Sequence, residues 1–163
     1  MLESIFPRTI DNNFRGHVAA LWLFGIYVAL RIVINTNLIF NTRSVAVGGD
    51  AIPIDTMSTN AAATVLMVMA VQAVGQLVLA LLGLLVLLRY RAMVPLITVL
   101  VLGELIARRL YLLAHPIERI ETMSVGTYLN YAFFALLLAI LALSLLGRTS
   151  RGAGRTSDVP PTA

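Results

Sequence analysis

The sequence predicts an all-α, polytopic membrane protein: a bundle of four transmembrane helices with both termini in the cytoplasm. Three observations carry that prediction. Hydrophobic residues make up 59% of the 163-residue chain and charged residues only 12%, against roughly 25% charged in an average soluble domain. The mean hydropathy is +0.89, too apolar for a chain whose length allows one domain with a large remaining surface. The apolar residues also fall into four long runs, each close to the about 20 residues that a helix needs to cross a bilayer core. A soluble globule and a disordered chain are both excluded.

The four runs are taken in order. The first spans about 17–39, with Arg31 inside it. The second spans about 61–88 and carries no charge. The third spans about 93–114 and contains Glu104, Arg108 and Arg109. The fourth spans about 126–147, again without charge. Together they make a transmembrane domain over residues 17–147. Residues 1–16 set Ile5, Phe6, Ile10 and Phe14 among polar neighbours, the pattern of a short amphipathic piece lying on the membrane interface. Residues 148–163 are rich in Gly, Ser, Thr and Pro and are expected to be a disordered cytoplasmic tail. The first run is too long for a cleavable signal peptide and lacks a small-residue cleavage site after it.

An even number of spans puts both termini on one side, and arginine decides which. One side holds Arg8, Arg15, Arg89, Arg91, Arg148, Arg151 and Arg155. The other holds Arg43 and Arg119 against Asp50, Asp55, Glu118 and Glu121. The arginine-rich side is read as cytoplasmic, in a bacterial inner membrane. The formal charge of +4 thus reflects topology, and no nucleic acid partner is implied.

The connections differ. Arg89 to Ala92 is a tight basic turn, so the second and third spans form an antiparallel hairpin, with Pro95 harmless in the first turn of the third. The first connection is the longest; Gly48, Gly49 and Pro53 mark turns in it, and Ser58 or Thr59 is placed to cap the second span. It serves either as a functional loop or as a cap over the outer end of the bundle. Small residues four apart, Gly25/Ala29, Gly103/Ala107 and Ala135/Ala139, together with Gly75 and Gly83, are the expected points of close helix approach.

Ionisable groups at membrane depth are costly and therefore informative. Glu104 falls near the midplane, with Arg108 one turn further out on the same face. Arg31, in the outer half of the first span, lies at the depth of Arg108. Gln72 and Gln76 face the same level from the second span. The expectation is one polar cluster of Arg31, Gln72, Gln76, Glu104 and Arg108, with a net charge of one positive. In one reading it is interhelical glue, an Arg–Glu–Arg triad with amide hydrogen bonds fixing register. In another it lines an outward pocket for an anionic or carbonyl-bearing ligand: a lipid, a quinone or a small acid. A proton relay through Glu104 is the third, opposed by two arginines that would hold it ionised.

Other chemistry is thinly represented. The chain has no cysteine, which removes disulfides and thiolate metal sites. His17 and His115 belong to opposite interfaces, about 30 Å apart, and cannot jointly ligate a haem within one subunit. Asp50 and Asp55 alone do not make a metal site. No phosphate loop or hydrolase motif occurs. No catalytic residue, metal or cofactor is assigned.

The segment Gln72–Leu113 has a further feature: a glycine-containing span, a short basic turn, then Gly103-x-x-x-x-Arg108. This resembles the DoxX-like group of small four-helix membrane proteins. The resemblance implies a four-helix bundle in a bacterial cytoplasmic membrane, with Gly75, Gly103 and Arg108 as the matching positions and a link, in some members, to quinone or redox chemistry. The long first connection and Arg31 fall outside the pattern. The expected function is that of a non-enzymatic membrane component or accessory subunit. The alternative is a ligand-binding, transport or quinone/redox-linked protein using the Arg/Glu/Gln cluster; an enzyme ranks third. Besides the lipid bilayer, the partner classes are such a ligand, a second copy, or a larger membrane complex.

Overall fold

A computed structural model describes residues 16–115 and 124–146, together with Ile5, Asn12 and Phe14. The expected tail, most of the interfacial segment, and the connection with Glu118, Arg119 and Glu121 lie outside the described residues. Every long element described is a helix: α1 (Val18–Phe40), α2 (Thr59–Arg89), α3 (Val94–Ala114) and α4 (Val125–Leu146). Their bounds follow the four apolar runs to within about two residues. Three of them, α1, α2 and α4, are long and apolar enough to cross a membrane. The fourth, α3, has 21 residues, but its three charged side chains set it apart from the others.

The ends are set by local chemistry. Before α1, His17 is extended and its Nδ1 accepts the N–H of Ala19 at 3.2 Å, satisfying one of the orphan donors of a helix start. Ser58 caps α2, its hydroxyl accepting from Ala61 at 3.4 Å; Thr59 is already helical. Pro95 occupies the first turn of α3, where its missing N–H removes no helical bond. The first connection is compact. Short helical turns cover 42–49 and 54–56, and Ala46, Ala51 and Ile54 are buried. Ala51 has φ +55°, a left-handed conformation that lets the chain reverse after Gly49 and Asp50. An exposed Arg43–Asp55 pair at 2.5 Å braces it.

The core lies along α1. Ala20, Phe24, Tyr27 and Val28 pack against Val86 of α2, Val94, Ile97 and Leu102 of α3, and Phe133, Leu137 and Ile140 of α4. Helix α1 runs closely along α2 and α4, and α3 along α4; α2 and α3 make little close backbone contact despite the turn that joins them. Gly83 permits the tight α1–α2 crossing, since a Cβ there would stand 3.1 Å from Val28 and 3.5 Å from Phe24. Gly25 does the same against Leu87. The other small residues behave differently from expectation. Gly75 and Gly103 face open space, and Ala107, Ala135 and Ala139 are exposed. The reason is volume: Phe24, Tyr27 and Phe133 fill the centre, so α1 and α2 come close where Gly25 and Gly83 sit, and α1 meets α4 closely at its start, where Gly16 and His17 lie against Leu143 and Ser144.

The outside is as apolar as the inside. Trp22, Val33 and Phe40 on α1, Val71, Val78 and Leu88 on α2, and Leu146 on α4 are all exposed. Such continuous apolar surface would drive aggregation in water. It is the boundary that a helical, multi-pass protein presents to lipid.

Candidate functional site

The polar residues of the four helices are joined in one line. Arg31 projects from α1 and is 9% exposed. Its backbone carbonyl accepts a hydrogen bond of 2.6 Å from the buried Asn35 amide one turn on. Its guanidinium lies 5.7 Å from the Phe133 ring centroid, a cation–π distance, and donates to Oε1 of Gln76 on α2. The other end of that amide, Nε2, donates to Oε1 of Glu104 on α3 at 2.9 Å. Arg108, one turn along α3, brings Nε to 3.8 Å from the same oxygen. Its Nη2 donates to Asn130 Oδ1 on α4 at 3.2 Å. Asn130 in turn donates to the Gly126 carbonyl at 2.8 Å.

This differs from a triad in one respect. Arg31 and Glu104 are bridged by the Gln76 amide rather than by direct contact. The amide suits the task because it is acceptor at one end and donor at the other. Only one orientation serves both neighbours: oxygen to the cation, nitrogen to the anion.

Of the five residues expected to cluster, Arg31, Gln76, Glu104 and Arg108 belong to the hydrogen-bonded line. Gln72 does not. It is exposed, one turn from Gln76 on α2, and makes no hydrogen bond among the described residues. It lines a cleft of about 590 Å³ instead. Arg31, Gln76, Arg108 and Asn130 border the same cleft, whose far edge is the first connection at Gly48–Asp50. On the other side of the Gln76–Glu104 bond, the space between α1, α2 and α3 shrinks to about 20 Å³. The cleft therefore ends on the hydrogen-bonded line.

Asp50 is the residue that sequence reasoning assigned elsewhere. Its carboxylate lies against the first turn of α4, so close that a Cβ on Gly126 would collide with it. A helix N-terminus favours such a charge. Asp50 thus stands at the edge of the cleft that Arg31 and Arg108 border, a second carboxylate beside a group whose expected sum was one positive. The available clue was that surplus: an internal group with one unmatched cation calls for an acid from a neighbouring connection.

Arg109 turns away from this group. It donates to the Tyr131 hydroxyl at 2.6 Å, with its guanidinium 5.2 Å from that ring's centroid. His115 stacks on Tyr111, rings 4.5 Å apart, while His17 caps the opposite end of the bundle. Among the described residues no three His, Asp or Glu side chains gather as metal ligands. No family model matches the chain, and no characterised protein or solved structure is measurably similar to it.

Proposed function

We propose that the chain is a four-span protein of a bacterial cytoplasmic membrane, both termini inside, acting as a non-enzymatic component or accessory subunit of that membrane. One observation carries the reading: a single polar line runs through all four helices, by hydrogen bonds from Arg31 through Gln76 to Glu104, by the Glu104–Arg108 ion pair, and by a hydrogen bond from Arg108 to Asn130. Such a line suits a scaffold. Each strongly polar group in it is occupied by a neighbour, and Glu104 is held by two donors. In hydrocarbon an unmatched group would be expensive, so the line selects one rotation of each helix.

The same line accounts for the charges in α3. Glu104 and Arg108 neutralise each other one turn apart, and Arg109 reaches Tyr131 near the end of the span, so a 21-residue helix can cross despite its composition. The arginine bias of the termini and of the Arg89–Arg91 turn supports the inside orientation. The likeness of the α2–α3 segment to the DoxX-like group points to the same class of small bacterial membrane protein.

Topology is directly testable because the chain has no cysteine of its own. Single substitutions Thr56→Cys, Ala92→Cys, Glu118→Cys and Thr149→Cys should divide cleanly. A membrane-impermeant maleimide added to intact cells should label the variants at 56 and 118 and spare those at 92 and 149. Equal labelling at 92 and 118 would remove α3 from the membrane; labelling at 149 would reverse or abolish the shared side of the termini.

A further inference from the structure

Gln72 poses a problem that the hydrogen-bonded line leaves open. It projects from the middle of a helix apolar enough to cross a membrane, exposed and without a partner among the described residues. A primary amide facing hydrocarbon is costly. It is also the one polar residue of the group that contributes nothing to tying the helices together. Its position is at the cleft, opposite Arg108 and beside Gln76.

The cleft has an order of charge along the bundle. Deepest are the guanidiniums Arg31 and Arg108, with the Gln72 and Gln76 amides at their level. Shallower, at the end capped by the first connection, is the Asp50 carboxylate against α4. Donors thus lie below and a carboxylate above. Helices α2 and α3 make little close backbone contact, and among the described residues of α3 Arg108 alone borders the cleft, facing it together with Gln72 of α2. The walls between the polar groups are apolar: Ile34 and Leu38 of α1, Met69 of α2, Leu129 of α4.

We infer that this cleft holds one zwitterionic, amine-bearing phospholipid, entering sideways between α2 and α3. Its phosphate oxygens accept from Arg108 and Gln72, and its ammonium lies above them toward Asp50. Its acyl chains leave through the α2–α3 side into the bilayer. A phospholipid in that leaflet presents the same sequence from the membrane centre outward: chains, phosphate, amine. A carboxylate oxygen accepts several donors, so Asp50 can take the ammonium alongside whatever else it binds. At about 590 Å³ the cleft is in the range of small-molecule sites, about 300–1,000 Å³. Cationic donors below and a carboxylate above match a zwitterion rather than an anion. The inference rests on α3 being a span, which the cysteine labelling tests separately.

The test is native mass spectrometry of the full chain in mild detergent, delipidated and then titrated with phosphatidylethanolamine, phosphatidylglycerol or inorganic phosphate. One phosphatidylethanolamine per chain should be retained, in preference to phosphatidylglycerol. Gln72→Leu should weaken that retention about tenfold, the effect of one hydrogen bond to a charged acceptor, with an unchanged melting temperature. Asp50→Asn should abolish the preference for the amine-bearing lipid. Four results would overturn the inference: equal retention by wild type and Gln72→Leu, preference for phosphatidylglycerol, binding of inorganic phosphate as strong as that of lipid, or a dimer that Gln72→Leu dissociates.

Discussion

The two halves of this bundle are closed by different forces. At the end of the α2–α3 turn, Phe24, Val28, Gly83, Val86 and Ile97 interlock and leave about 20 Å³ between helices. At the other end the same helices enclose a cleft, and hydrogen bonds among Arg31, Gln76, Glu104, Arg108 and Asn130 hold them. In lipid, burying an apolar side chain gains little over leaving it among acyl chains, so shape complementarity and polar matching do the holding. One half uses the first, the other the second. A tightly filled end tolerates no change of volume. An end held by hydrogen bonds can keep an opening.

Substitutions that separate the two halves should differ in size. The largest effect belongs to the filled end: Phe24→Ala, at a side chain with 0% exposure, should cost about 3–5 kcal/mol, read as a drop in thermal unfolding temperature in detergent. Retention of wild-type stability there would mean that lipid or detergent replaces the ring, and that the core is not the anchor. Arg31→Leu should be next, with a loss of about 1–2 kcal/mol, since interhelical hydrogen bonds in membranes are worth about 0.6–1.7 kcal/mol and Glu104 keeps Arg108. A loss as large as that of Phe24→Ala would erase the contrast between the halves. Gly103→Ala should be smallest. The added Cβ meets only open space, so stability, read from the melting point, should hold or rise by up to about 1 kcal/mol from helix propensity. A fall would reveal a packed face there, such as a second copy of the chain.

Much of the fold was legible in the sequence, for a physical reason. Hydrocarbon imposes length and apolarity on a span, so α1, α2 and α4 are visible as apolar runs and α3 as a run broken by three charges, and the caps at His17 and Ser58 only adjust the bounds. Rotation about each helix axis is another matter. Core and lipid are both apolar, so hydrophobicity does not mark which face of α3 or α4 turns inward. That is why Gly103, Ala107, Ala135 and Ala139, read as contact points, face outward, while Gly83 alone of its pair is used. The polar residues do mark a face. Glu104 and Arg108, four apart, and Arg31 at matching depth were enough to anticipate the group. The Gln76 bridge was not legible, because whether an amide stands between two charges depends on distances between helices. Asp50 was hidden for a similar reason: its place depends on how a long connection folds back onto α4.

One dimension of α2 has a bearing on the membrane around it. Its 31 residues extend for about 46 Å, against a hydrocarbon core of about 30 Å. A rod that long must lean, or push its ends into the headgroups on both faces. Bilayer thickness thereby becomes a mechanical input: thinner lipid steepens the tilt of α2, and thicker lipid brings it upright.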